Sequence, residues 1–289
     1  MLRTMSVMLS LAIAVVLAIA AGAANGQSPG PTEAARDLDV EFALLPSGSF
    51  LMGSPEDEWG ARVDEKLHLV TITRPFLLAT TEVTQRQWRA LAGSNPSYLY
   101  DCSDCPVEGI TWLAAVAFCN AFSAQLGLTP AYTIVDTVVT WNRESDGFRL
   151  PTEAEWEYAC RAGATAPFHT GACLTTDQAN YCGYGPMPDC PEGLWRDQTV
   201  EVRSFAPNAW GLHDMHGNVS ELCWDRHDYH AASPAVDPTG AATGSLRIVK
   251  GGSFRDFARD CRSACRELIR PTSRQKWVGM RLARSQPRK

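Results

Sequence analysis

The chain has 289 residues, with 26 basic and 32 acidic side chains for a formal net charge of −6, 45% hydrophobic residues and ten cysteines. An acidic balance without a basic tract longer than a local cluster argues against nucleic acid as a partner. The length fits one large domain with a substantial core, and neither an internal repeat nor a second long linker divides it.

The N-terminal stretch "MLRTMSVMLSLAIAVVLAIAAGAANGQS" carries an early Arg3, an apolar run from about Met8 to Ala21, and small residues from Gly22 to Gly26. This order predicts a secretory signal peptide over residues 1–26, too short to serve comfortably as a membrane anchor. The mature protein is therefore expected to be secreted or periplasmic, with no membrane association after signal removal. Exported chains meet oxidants, so an even number of cysteines points to disulfides before thiol chemistry. Residues 27–39, "QSPGPTEAARDLD", are polar and Pro-containing and read as a linker. The folded domain is expected over residues 40–285.

Along that domain, "VEFALLPSGSFLMGS" and "HLVTITRPFLLATTEV" read as strands, from β-branched and apolar content broken by Gly and Pro. Thr84 and Gln87 form a capping box that starts a short helix ending at Gly93. In "TWLAAVAFCNAFSAQLG", Leu113, Val116, Ala117 and Ala121 have helical spacing, and Gly127 supplies a stop. "AYTIVDTVVTW" reads as a hairpin. A third helix is expected in "RLPTEAEWEYACRAG": Thr152 and Glu155 make a second capping box, acidic residues fill the first turn, and Arg161 with Gly163 closes it. Beyond Gly163, Gly, Pro, Asn and aromatic residues dominate, and regular structure should be sparse.

Several groups have the makings of chemistry. In "DMHGNVSE", Asp214 and Glu221 bracket a Gly-Asn turn. Carboxylates around exposed carbonyls suit a hard cation such as calcium, and they equally suit a turn in which both acids accept backbone amides. "CSDC", Cys102 to Cys105, has the spacing of a redox or zinc half-site, but no second CxxC exists, and export favours a disulfide. His213 and His216 stand at i and i+3, as do His227 and His230. Such pairs either ligate iron or copper or are ordinary surface and turn residues. Neither a G-x-S-x-G elbow, a P-loop nor a G-x-G-x-x-G after a strand is present, so hydrolase and nucleotide-binding readings lack local support.

Taken in order, "SGSFLMGS", "TEVTQRQW", "CPVEGITWLAAVAFCN", "RLPTEAEWEYACRAG", "PNAWGLHDMHGNVSEL", "VKGGSF", "RSACR" and "VGMRLA" resemble the formylglycine-generating enzymes, or sulfatase-modifying factors, from about Val40 to Ser285. The resemblance implies an irregular, loop-rich α+β fold, distantly C-type-lectin-like, with calcium holding loops in place. It implies a calcium site from the side chains of Asp214 and Glu221 and the carbonyls of Gly217 and Val219, and a second site beginning at Asn180 and Tyr181. It also implies a Cys160–Cys265 disulfide.

Catalytic members of that family carry two cysteines five residues apart after Gly-Gly-Ser, and these bind copper(I) and oxidise a cysteine of a client sulfatase with dioxygen. Counted from Ser253, those positions here are Asp256 and Cys261. Copper(I) needs two soft sulfur donors, and a carboxylate is a poor replacement. Copper is thus doubtful, and Cys261 is expected in a disulfide, with Cys223 as a weak candidate partner. Ser253 matches the family serine beside the metal, and it is equally a turn hydroxyl after two glycines. Ser220 stands where catalytic members usually have tryptophan.

Three functions remain open at this point. They are an oxidase acting on an exported protein or peptide client, its activity lost or altered by Asp256; an iron-dependent oxidase of the same fold; and a non-catalytic, calcium-stabilised binding module. For the last, Trp195, Trp210, Trp224 and Phe254 lie near the pocket loops, although tryptophans in such folds more often fill the core.

Overall fold

The computed structural model describes residues 38–228 and 233–286. The expected signal peptide, most of the expected linker, and His230 lie outside them. Strands β1 (Phe42–Leu45) and β2 (Gly48–Met52) are followed by β3 (His68–Ile72) and β4 (Phe76–Ala79), matching the two strand-rich stretches of the sequence. Helix α1 (Gln85–Ala92) begins with the Thr84–Gln87 capping box and ends at Gly93 in the left-handed conformation. Helix α2 (Trp112–Gln125) has Thr111 as its cap, and the hairpin β5 (Tyr132–Val135) and β6 (Val138–Trp141) follows it. Strand β7 (Phe148–Arg149) leads into α3 (Glu153–Arg161), which carries the Thr152–Glu155 capping box. Each such cap stabilises its helix by about 1 kcal/mol.

From Arg161 to Ser220 the described chain is loop and turn, as its composition predicts. The C-terminal part is more regular than expected: β8 (Ser220–Arg226), β9 (Ala235–Val236), β10 (Arg247–Lys250), a 3₁₀ turn (Ala258–Cys261), β11 (Glu267–Ile269), β12 (Val278–Gly279) and β13 (Ala283–Ser285). One sheet has the order β1-β4-β13-β7 and another β11-β10-β8-β12, while β2-β3-β9 and the hairpin form smaller ones. The last strands join the sheets. Strand β12 runs parallel to β8, with Val278 opposite Ser220, and three residues later β13 pairs antiparallel with β4.

The core has three apolar clusters. The largest gathers Phe42, Trp112, Phe118, Phe122, Phe148 and Trp224 around α2, and a second packs Phe76, Trp156 and Ile248 around α3. The third holds Phe168, Leu174, Tyr181, Met187 and Cys261 beneath the long loops. No helix among the described residues is long and apolar enough to cross a membrane.

All nine residues of α3 are buried, although its sequence, "EAEWEYACR", is rich in charge. Cations, Arg161 of the helix itself and the rest from other elements, explain this. Arg149 meets Glu155 at 2.6 Å, Lys250 and Arg161 meet Glu157 at 3.1 and 2.9 Å, and Arg266 donates to Glu153 at 2.9 Å. Arg262, itself without exposed side-chain surface, reaches Glu58 and Glu65 at 2.6 and 2.8 Å and donates to Gly60 O at 2.6 Å. Removing one member of such a buried set leaves its partner charged and dry, which costs about 3–5 kcal/mol. Arg262→Met is expected to lower stability by that amount, read as a drop in the urea midpoint at unchanged slope.

Candidate functional site

The stretch after β10 is shaped by its glycines. Gly251 and Gly252 have φ of 93° and 66°, and a Cβ at Gly252 would lie 2.7 Å from Cys261 Sγ. Only glycine lets the chain turn there and still pass against that sulfur. Ser253 follows, wholly buried, and donates its hydroxyl to Asp256 Oδ2 at 2.5 Å, while the Asp256 amide donates to Ser253 O at 3.1 Å. Asp256 is half-buried. Burial raises its carboxyl above the usual carboxylate range, and the Ser253 hydrogen bond works against that rise. Its carbonyl accepts the Cys182 amide at 2.9 Å, tying this turn to the Asn180 loop.

Cys261 is fully buried in the third apolar cluster, and burial pushes its thiol well above the ordinary value, with the Asp256 charge adding to the effect. Its carbonyl lies 2.8 Å from His216 Nδ1, so that nitrogen carries the proton. The other ring nitrogen accepts the His169 amide at 3.2 Å. His216 is therefore a satisfied neutral histidine, and burial, with His169 second, pushes its pKa down to about 3. Both nitrogens are spent, so this member of the expected histidine pair has no lone pair left for a metal. His213 uses Nδ1 on Phe205 O at 2.9 Å, and His227 pairs with Asp64 at 3.2 Å. His213 and His216 lie off helices, where an i, i+3 spacing does not by itself make neighbours, and His230 lies outside the described residues.

The cysteines depart from expectation. Cys102–Cys105 is bridged, as its spacing and compartment suggested, and a second bridge joins Cys173 to Cys190. The expected Cys160–Cys265 bridge is not formed, and Cys261 and Cys223 are likewise free and buried. The Cys160 sulfur faces Ser263 Oγ at 3.5 Å and Met215 O at 3.7 Å. That of Cys265 feels instead the charges of Arg62, Glu65 and Arg262. The two sulfurs sit in different surroundings, and burial pushes both thiols up to about 12.

Of the residues expected at calcium, two come together directly. Asn180 bridges Gly217, its carbonyl accepting the Asn218 amide at 2.8 Å. Asp214 is buried and accepts the Arg203 amide at 2.7 Å on Oδ2, while its Oδ1 has no hydrogen-bond partner. Glu221 differs. Arg281 reaches its two oxygens at 2.8 and 2.9 Å, and Trp156 Nε1 donates to it at 2.8 Å. Tyr181 is buried and gives its hydroxyl to Leu174 O, while Asn180 Oδ1 is buried without a partner. Val219 is buried between Gly217 and Glu221, its side chain against Gly279.

Sequence reading missed Glu82, fully buried beside this group. Burial, then the Asp214 charge, raises its carboxyl well above the usual range, and its Oε2 also lacks a partner. The signal was an acid inside the apolar and β-branched run "TTEVT". Among the candidate surface aromatics, Trp224 and Phe254 are core residues, Trp210 packs on Tyr158, and only Trp195 is exposed.

Peptide mapping of the unreduced protein is expected to return Cys102–Cys105 and Cys173–Cys190 and to leave Cys160, Cys261 and Cys265 open to alkylation after denaturation. In the folded protein the same three thiols should react slowly at pH 8, because buried thiols hold their protons. A Cys160–Cys265 peptide would contradict the structure.

A family model described as a sulfatase-modifying factor enzyme 1-like domain matches residues 28–286. The formylglycine-generating enzyme of Thermomonospora curvata is 35% identical over 295 residues, spanning 88% of this chain and 96% of that enzyme. That of Streptomyces coelicolor is 30% identical and spans 90% and 94%. Among solved structures, Treponema denticola variable protein 1 superposes with a TM-score of 0.74 at 29% identity, covering 86% of this chain and 96% of that one. PvdO from Pseudomonas aeruginosa gives 0.70 at 26% identity, covering 90% and 100%. The few helices, small mixed sheets and long ordered loops are thus the irregular α+β fold of one family, and the chain belongs to the sulfatase-modifying factor enzyme 1-like family that includes the formylglycine-generating enzymes.

Proposed function

We propose that this protein is an exported member of the family in which the copper-dependent oxidation of a client cysteine is lost or altered. The observation that carries the reading is the Ser253–Asp256 hydrogen bond at 2.5 Å beside a buried Cys261. Where the family resemblance calls for two thiolates, this chain offers one thiol and one hard oxygen donor. The oxygen is engaged with the neighbouring hydroxyl. Copper(I) does not fit that donor set. The iron-dependent alternative needs a cluster of histidine and carboxylate donors. Among the described residues, no group of three or more His, Cys, Asp or Glu side chains is arranged to hold a metal.

A specific observation favours the binding-module reading of the same site. Phe257, 43% exposed, rests on Gly185, where a Cβ would come within 2.3 Å of its ring. Tyr184 and Trp195, 64% and 42% exposed, meet edge to face at 6.1 Å. These aromatics adjoin Asp256 and offer a surface to an exported protein or peptide partner.

Calcium remains part of the proposal. Two buried carboxylate oxygens without partners, on Glu82 and Asp214, fit a hard cation, with Glu82 taking the part that the resemblance gave to Glu221. When bound, the ion would neutralise two acids that otherwise repel in an irregular segment. Chelation is therefore expected to lower the melting temperature, and added calcium to restore it. Unchanged melting under chelator, together with a silent Asp214→Ala, would remove calcium from the account.

The catalytic claim is tested by incubating the protein with copper(I), reductant, dioxygen and a sulfatase-derived cysteine peptide, and weighing the peptide. No loss of sulfur is expected from the wild type, and turnover would overturn the reading. If Asp256→Cys gains activity, the scaffold has kept its pocket and lacks only the ligand. If that variant is inactive but folded, loss extends beyond residue 256.

A further inference from the structure

We propose that the cavity between the β3–β4 turn, the β5–β6 hairpin and the start of α3 binds a small organic anion, a carboxylate or sulfate carried on a ring. The cavity measures about 340 Å³, within the range of small-molecule sites, and no residue of the 251–267 stretch lines it.

The charges that line it decide the ligand. Arg149 lies at its inner side and is held by both oxygens of Glu155, at 2.6 and 2.7 Å, while its Nε donates to Ser285 Oγ at 3.1 Å. That ion pair compensates itself. Asp237 accepts the Thr73 amide at 2.8 Å and the Thr73 hydroxyl at 2.5 Å, so both its oxygens are occupied. Glu144 already has a partner. Thr73 leaves the Asp237 charge in place, so the lining is not cationic overall; its guanidinium donors without a carboxylate partner among the described residues are those of Arg74 and Arg143. Arg74 and Arg143 are exposed on the lining, and the Arg143 hydrogen bond, to Asp237 O, is a long one at 3.5 Å. Guanidinium groups pair with planar oxyanions through parallel hydrogen bonds.

The wall supplies the second half of the specificity. Trp141 lines the same cavity, half-buried, with the guanidinium carbons of Arg149 and Arg143 at 5.0 and 5.5 Å from its ring centroid. A bare inorganic anion would leave that indole surface unused. A ring lying on Trp141, with its carboxylate or sulfate toward Arg74 and Arg143, uses both. The ring can be aromatic or a sugar, each with an apolar face for the indole, and these two sources share the chemistry.

Titration calorimetry on the full chain, with benzoate, glucuronate, their neutral counterparts benzamide and glucose, and inorganic sulfate, tests this. At least one ring anion is expected to bind saturably, roughly tenfold or more tighter than its neutral counterpart and than sulfate. Benzoate alone assigns an aromatic acid, and glucuronate alone a sugar acid. Arg74→Gln with Arg143→Gln should weaken binding by roughly tenfold or more while leaving the melting temperature unchanged, since both side chains are exposed. Asp256→Cys should leave it untouched, which separates this site from the function proposed above. No saturable binding of either ring anion, sulfate binding as tightly as they do, or indifference to the double arginine change would each overturn the proposal.

Discussion

One buried ion pair holds the two main sheets in register. Arg281 has no exposed surface, and its guanidinium spans three structural parts: Ala79 O at the end of β4, His213 O in the long loop, and the Glu221 carboxylate in β8. Trp156 of α3 closes the fourth side through Glu221. The residue lies between β12 and β13, where the chain leaves one sheet and enters the other. A buried pair of this kind adds little net stability over apolar residues of equal volume, because both ions lose their water. Its effect is positional. Any shift of β12 against β8 would leave two charges dry and unpaired, so the crossing has one low-energy arrangement.

The same device recurs wherever the backbone is irregular. Loop carbonyls that no strand or helix satisfies must find donors. Here arginine side chains supply them: Arg262 to Gly60 and Arg259, Arg266 to Asp64, Arg161 to Gly53 and Ala166. Each arginine also meets a carboxylate nearby, so charge and carbonyl are settled together. This explains how described residues with three α-helices and short strands can order so much loop, and why α3 can be buried on every side.

Local structure was legible in the sequence because local chemistry determines it. Both capping boxes, the Gly93 stop and the hairpin depend on residues within a few positions of one another, and all four appear where the sequence puts them. The C-terminal sheet was not legible, since β8 and β10 are buried on both faces and show no alternation to read. In "VGMRLA" an arginine inside an apolar run carries the mark of a buried, paired charge, and Glu82 carries the same mark in "TTEVT". Each was readable as a buried ion, but its partner was not. The longer disulfide was beyond reach for a related reason: Cys173 and Cys190 are joined by the path of a loop, and no local signal encodes that path.

The stretch after β10 shows how such a fold can accept a different residue at one position at small cost to structure. The turn at residues 251–252 is fixed by two glycines and by the contact of Gly252 with the Cys261 sulfur, and Ser253 and Phe254 are buried behind it. Residue 256 comes after these constraints, half-buried at the end of the turn, where its backbone rather than its side chain ties it to Cys182. A carboxylate there finds the Ser253 hydroxyl at once, so it needs no rearrangement of the core to be accommodated. Cys261, by contrast, is packed into the third apolar cluster and cannot be exchanged without leaving a cavity. Of the two positions where the resemblance calls for thiolates, one is held by packing and the other is free to vary, and the variation falls on the free one.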